Sequence, residues 1–148
     1  MKILLFGSTG QVGSTFLEKA EIETVNRSEA NLENPVSCFE KILESQPDLV
    51  INAAAFTSVD AAEEQKDLVT LVNGVAPVEM SKAAAHLNIP FIHLSSEYVF
   101  SGEGQAPWRP TDIMAPLNTY GRSKQMAEHG IKLVGGGTCN IKNLLGVF

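Results

Sequence analysis

Within LNTYGRSKQMAEHG, residues 117–130, Tyr120 and Lys124 stand four positions apart. On a helix that is one turn, so both side chains leave from the same face. A phenol beside an ammonium can deliver a proton, although Y-x-x-x-K also recurs in many ordinary amphipathic helices. Upstream, the run FIHLSS (91–96) ends in Ser95 and Ser96, at what reads as a strand end. Reducing a carbonyl group needs a proton donor at the oxygen and a second hydroxyl to hold that oxygen. A free tyrosine is a weak acid, with a pKa of about 10, and a lysine cation nearby favours its phenolate. A lysine can also reach a nicotinamide ribose. The plainer alternative makes Ser96 a strand-end hydrogen bonder, Tyr120 a core aromatic and Lys124 part of a solvated face. The chemical reading gains because the three residues follow, in order, a glycine turn near the N-terminus.

That turn is Gly7-Ser8-Thr9-Gly10-Gln11-Val12-Gly13, placed directly after the apolar run KILLF (2–6). Glycines there permit positive φ, close helix packing and backbone approach to a pyrophosphate, which the following helix N-terminus favours. A strand before it and a helix after it meet the context that a dinucleotide site requires. The second strand should end at Asn26 and Arg27, where sites that prefer NAD commonly carry an acid. With no carboxylate at those positions and a guanidinium present, NADPH is the expected cofactor, with NADH as the alternative. Arg27 as a solvated surface residue is the competing view.

The elements that must position these residues alternate. A buried strand at 2–6 leads into a helix over Val12–Ala20 and a weaker strand over Glu21–Val25. Pro35 suits the first turn of a helix running to Ser45. LVINA (49–53) reads as a strand, Asp60 as the N-cap of a helix through Val72, and Ala76–Leu87 as an Ala-rich helix. A turn at Asn88-Ile89-Pro90 precedes strand 91–96, and a Gly- and Pro-rich loop over 97–116 has the length of a functional loop. Such alternation implies βαβ units and an α/β fold, a parallel sheet with helices on both faces. The segment from about Leu133 opens with three glycines and has weak periodicity; a strand is expected near 140–148.

The chain has 148 residues, a net charge of −6, 44% hydrophobic and 19% charged residues, and a mean hydropathy of +0.03. This is the balance of one soluble globular domain. An acidic chain without a Lys/Arg cluster argues against a nucleic-acid surface, and no apolar stretch is long enough to span a membrane. Cys38 and Cys139 show no metal-ligand spacing, so two reduced thiols in a cytoplasmic protein, and no metal site, are expected. The N-terminal apolar run is too short for a signal peptide.

Five segments together carry a resemblance over residues 1 to about 130: ILLFGSTGQVGS (3–14), PDLVINAAAFTSVDAAE (47–63), VNGVAP (72–77), HLSSEYVFSG (93–102) and APLNTYGRSK (115–124). The chain is similar to the extended short-chain dehydrogenase/reductase family, and within it to the dTDP-4-dehydrorhamnose reductases. The paired signatures S-S-E-Y-V-F and P-L-N-T-Y-G-R-S-K are far more specific than the glycine turn. The resemblance implies a Rossmann-type doubly wound sheet over 1–148, with 132–148 as an atypical tail and without the family's C-terminal substrate domain. It also implies reduction of the 4-keto group of dTDP-4-dehydro-L-rhamnose to dTDP-L-rhamnose by NADPH.

Carried over by position, Ser96, Tyr120 and Lys124 would be catalytic, and Ser96, Glu97 and Tyr120 would meet the dTDP-sugar. Around the cofactor, Gly7, Thr9, Gly10, Gln11, Val12 and Gly13 would surround the pyrophosphate. Asn26, Arg27, Asn31 and Leu32 would flank the adenosine side. Ala53, Ala54, Ala55, Phe56 and Thr57 would line the way to the nicotinamide, with Tyr120 and Lys124 beyond. Asn73 resembles the asparagine that supports the catalytic helix. Family members are often dimeric, so a homodimer is an expected partner state. Four positions depart from the pattern: Ser96 stands for Thr, Glu97 for Asp, Asn31 for Asp and Ala127 for Gly. The tail departs more, since IKNLLGVF (141–148) lacks the family's Arg and Trp there. Two alternatives stay open at this point, a dinucleotide-binding regulatory subunit without catalysis and a nucleotide-sugar epimerase or dehydratase.

Overall fold

The computed structural model describes residues 1–17, 22–104 and 106–143, the last six as backbone only. Five parallel strands form one sheet in the order β2-β1-β3-β4-β5. They are β1 (Ile3–Phe6), β2 (Glu23–Val25), β3 (Leu49–Asn52), β4 (Phe91–Ser96) and β5 (Thr138–Asn143). The helices between them are α1 (Gln11–Leu17), α2 (Pro35–Ser45), α3 (Val59–Glu64), α4 (Lys66–Val69), α5 (Ala76–Leu87) and α6 (Thr119–Val134). Register aligns Phe6 with Asn52 and Asn52 with His93, so β1 and β3 end in step while β4 runs three residues further, to Ser96.

A continuous apolar run such as ILLF suits a strand covered on both sides, and its alternate residues divide accordingly. Leu4 and Phe6 join Val50, Phe91, Ile42, Met80 and Ile131 in the larger core under α2, α5 and α6. Ile3 and Leu5 join Ile51, Phe16 and Ile92 on the opposite face. α2 starts at Pro35, whose fixed φ favours the first helical turn. α5 ends where Asn88 takes a left-handed conformation at φ 55°. Cys38 is free and buried in the larger core, where burial pushes its thiol up to about 11.

The doubly wound parallel architecture matches the expectation, and so do α2, α5 and β4 at their boundaries. The described part of the first helix begins one residue earlier than expected, and 18–20 of that expected helix, like Glu21 of the expected second strand, lie outside the described residues. The expected last strand begins earlier, at Thr138, and 144–148 lie outside the described residues.

The helix expected from Asp60 to Val72 differs most. The segment breaks at Gln65, resumes as α4, winds into a π-helix over Thr70–Val75 and runs on into α5. Two contacts account for the wider turn. Gly74 lies so close to α6 that a Cβ there would sit 2.8 Å from Met126 Sδ, and Asn73 is fully buried with its amide bonded to the loop after β3. A π-bulge inside a helix often marks such a demand from outside the helix.

Candidate active site

Strand order reverses between β1 and β3, where connections leave in opposite directions and a crevice opens at the carboxyl ends of the strands. A groove of about 410 Å³ occupies that position. Gly7, Ser8, Thr9 and Gly10 form one wall, Asn26, Arg27, Ala30, Asn31 and Leu32 a second, and Ala53, Ala54, Ala55, Thr57 and Val72 a third. Phe56 lines an adjoining recess of about 350 Å³ that shares Arg27, Ala55, Thr57 and Val72.

The three glycines of the turn do different work. Gly7 has φ 83°, and a Cβ on it would run into the backbone of Ala53 and Ala54. A Cβ on Gly13 would run into the Gly7 carbonyl. These two let the turn, the helix and the end of β3 close on one another. A Cβ on Gly10 would meet nothing nearer than the Gly7 carbonyl oxygen at 3.6 Å, and Gly10 lines the groove. The chain therefore leaves bare backbone where a pyrophosphate would approach, which fits a bound dinucleotide. Gln11, Val12 and Gly13 start α1 and are not among the groove-lining residues.

At the β2 end the sequence argument about charge needs correction. Asn26 Oδ1 accepts the backbone N–H groups of Ser28 and Glu29, so that amide is spent on the turn. Glu29 folds back so that its carboxylate accepts the Asn26 N–H at 2.9 Å. A carboxylate does stand at this strand end, supplied three residues later than the position inspected. That backbone bond comes first among the causes that hold the Glu29 carboxyl below its ordinary value, with Lys41 adding to it. Arg27 remains exposed, loosely paired with Glu33 at 3.9 Å. Asn31 Oδ1 likewise accepts from Glu33 N–H and shapes the loop.

Two buried asparagines hold the third wall. Asn73 Oδ1 accepts the Phe56 N–H at 2.8 Å and its Nδ2 donates to the Phe56 carbonyl at 2.9 Å. Its direct role is to fasten the loop after β3, and support for α6 comes through its neighbour Gly74. Asn52 Oδ1 accepts the Ala54 N–H at 3.0 Å, and its amide nitrogen meets His93 Nδ1 at 3.2 Å.

Ser96, Tyr120 and Lys124 come together where the end of β4 meets the first turns of α6. Ser96 Oγ donates to Glu97 Oε2 at 3.1 Å and accepts the Tyr98 N–H. Tyr120 packs edge-on to Tyr98, with ring centroids 5.6 Å apart, and lies among Ala62, Val69 and Phe56. Burial raises its phenol above the ordinary value; the Ser96 hydroxyl beside it pulls down, and Glu97 and Tyr98 push up. Lys124 is 2% exposed, and its Nζ donates to the Leu94 carbonyl at 3.0 Å. Burial lowers Lys124 to about 8, with Glu128 acting against the shift. The expectation that Lys124 draws Tyr120 towards neutrality is not met in this arrangement, because its ammonium is held by a β4 carbonyl and the tyrosine keeps its proton.

Positioning residues that the sequence reading passed over surround this cluster. Glu63 on α3 accepts the Thr119 N–H at 2.6 Å and its hydroxyl at 2.8 Å. Asn118 caps the same helix by accepting the Gly121 N–H at 2.7 Å. A Cβ on Gly121 would run into the Tyr98 carbonyl, so this glycine lets α6 close on the 3₁₀ turn Glu97–Val99. Asn118 could have been found as an N-cap ahead of a helical run; Glu63 could not, since its partner lies 56 residues away. No group of His, Cys, Asp and Glu among the described residues is arranged to hold a metal ion. No described helix is long and apolar enough to cross a membrane.

The model of a family described as the RmlD substrate binding domain matches residues 1–141, and the chain belongs to that family. It is 38% identical over 142 residues to the dTDP-4-dehydrorhamnose reductase of Escherichia coli strain K12, covering 89% of this chain and 47% of that protein. The solved dTDP-4-dehydrorhamnose reductase of Clostridium acetobutylicum superposes with a TM-score of 0.88 at 30% identity, over 96% of this chain and 52% of that one. The Bacillus anthracis enzyme of the same name, solved in complex with NADP, shares the fold with a TM-score of 0.86 at 24% identity, over 95% of this chain and 52% of that one. The chain thus spans about half the length of the relatives it matches.

Proposed function

We propose that this member of the family is the cofactor-binding part of an NADPH-dependent reductase. Its substrate would be the 4-keto group of dTDP-4-dehydro-L-rhamnose and its product dTDP-L-rhamnose. The observation that carries the reading is the meeting of Ser96, Tyr120 and Lys124 at the end of β4, on the same edge of the sheet as the open groove. The named relatives supply the substrate class, and the NADP held by one of them supplies the cofactor.

Gly7, Thr9 and Gly10 would hold the pyrophosphate, Arg27 would take the ribose phosphate, and Asn31 and Leu32 would flank the adenine. The loop Ala53–Thr57, fixed by Asn73, would guide the nicotinamide end towards Tyr120. Bound NADPH supplies the hydride that the carbonyl carbon accepts. Tyr120, whose burial keeps the phenol protonated at neutral pH, passes its proton to the carbonyl oxygen as the C–O double bond becomes single. Solvent then returns a proton to the phenolate. Ser96 Oγ turns from Glu97 to donate to the same oxygen, and Glu97 is left facing the sugar. Lys124, mostly cationic below pH 8, would reach the nicotinamide ribose rather than tune the phenol. A cytoplasmic location and a homodimer accompany this reading, and light scattering on the purified chain measures the assembly.

The test uses the purified chain with NADPH and the dTDP-4-keto sugar, following absorbance at the nicotinamide band. Consumption of NADPH that falls about 100-fold or more in Tyr120→Phe, with NADPH affinity within about twofold of the parent, supports the assignment. Tight NADPH binding without turnover by the parent would overturn the claim that these residues are catalytically competent in this chain.

A further inference from the structure

Lys124 and Glu128 lie one turn apart on α6 and reach successive residues of β4. Lys124 Nζ donates to the carbonyl of Leu94, and Glu128 Oε1 accepts the hydroxyl of Ser95 at 2.5 Å. The next residue of the strand is Ser96. All three polar side chains are enclosed, Lys124 at 2%, Ser95 at 4% and Glu128 at 9% exposure. A buried ammonium is costly unless a negative charge or good acceptors accompany it. The carbonyl of Leu94 is one acceptor, and the carboxylate of Glu128 is the nearby charge.

We infer that Glu128 is a positioning residue of the Ser96–Tyr120–Lys124 site, keeping the Lys124 ammonium charged and, through Ser95, holding α6 in register with the end of β4. The inference rests on the proposed reductase chemistry for the purpose the lysine serves. Its electrostatic half does not need that chemistry. The other titratable groups around Lys124 add no competing charge. From β4, His93 is fully buried, and burial together with the Lys124 charge holds it well below its ordinary value, hence neutral. On α6 itself Tyr120 keeps its proton. From the 3₁₀ turn, Glu97 acts on Tyr120 and donates nothing to the shift at Lys124. Burial lowers Lys124 and Glu128 raises it, so removing the carboxylate leaves burial unopposed.

The experiment is an NMR titration of the chain carrying 13Cε-labelled lysine, which reads the protonation of Lys124 directly. The Lys124 midpoint should fall by about one pH unit in Glu128→Gln, a roughly tenfold change in proton affinity. Glu128→Leu fills the same buried space without a polar group to satisfy and should shift the midpoint the same way. Glu128→Asp, which restores the charge, should recover most of the shift, and Ser95→Ala should leave the midpoint near that of the parent. With NADPH and the keto sugar, the alkaline limb of kcat should move down with the midpoint while KM changes little. A Lys124 midpoint unchanged in both Glu128→Gln and Glu128→Leu, with lowered melting temperatures, would reduce Glu128 to a structural residue and overturn the inference. Absence of turnover in the parent bears on the proposed function alone, because the titration is read without substrate.

Discussion

At the end of β1 the candidate site is walled by backbone, whereas at the end of β4 it is walled by side chains. The groove is shaped by glycines whose missing Cβ atoms let the turn, α1 and the end of β3 touch, and by loop segments fastened through their own N–H and carbonyl groups. The cluster around Lys124 is shaped by buried hydroxyl, ammonium, carboxylate and phenol groups contributed by β4 and α6. Steric faults should therefore dominate in the first region and electrostatic ones in the second. A single substitution can be chosen to probe each.

The largest effect is expected for Gly7→Ala. A Cβ at φ 83° against the Ala53–Ala54 backbone combines strain with overlap that cannot relax, costing about 3 kcal/mol or more in a denaturant melt. A cost under about 1 kcal/mol would mean that the turn and the end of β3 can separate freely. Asn73→Ala comes next, at about 2–3 kcal/mol, because it strands both polar groups of Phe56. NADPH affinity should weaken along with stability, and a loss of stability alone would detach this asparagine from the groove.

In the second region charge decides the effect. Lys124→Met removes a charge that burial penalises but strands the Leu94 carbonyl and leaves the buried Glu128 carboxylate without its cation, so it should cost about 1–3 kcal/mol at pH 7 and abolish turnover. The pH dependence follows from a folded-state value of about 8 against an ordinary 10.5. Below pH 8 both states hold the proton. Between the two values the unfolded chain holds a proton that the folded chain has lost, so the parent gains stability as pH rises. The deficit of Lys124→Met should accordingly widen between pH 8 and 10, and chemical denaturation across that range measures it. Taking the difference between the two proteins cancels Cys38, whose value of about 11 works in the opposite direction. A deficit that is constant with pH would contradict the buried-cation account. The smallest effect on folding belongs to Gly10→Ala, whose Cβ would make only an ordinary contact, 3.6 Å from the Gly7 carbonyl oxygen, and should cost less than about 1 kcal/mol, near the ordinary helix and turn preference. It should nevertheless weaken NADPH binding at least tenfold by filling the approach to the backbone, and full-strength binding would remove Gly10 from the site.

Much of this was present in the linear chain. The apolar runs at 3–6, 49–52 and 91–96, the proline at the start of α2 and the glycine turn are local signals, and local signals act through the nearest backbone. The order of Ser96, Tyr120 and Lys124 was legible for the same reason, since strand end and helix face follow from short-range periodicity. The π-helix at Thr70–Val75 was not legible, because its cause is the approach of Gly74 to Met126 and of Asn73 to Phe56, contacts between distant parts of the chain. Glu29 reached the β2 end by a turn that the inspected dipeptide could not reveal. The sequence by itself determined which elements form and which chemical groups stand at their ends. Only the tertiary structure decided how those groups are charged. Protonation depends on desolvation and on neighbours brought in by folding, such as Leu94, Ser95 and Glu128 around one lysine, and spacing along the chain carries no record of either.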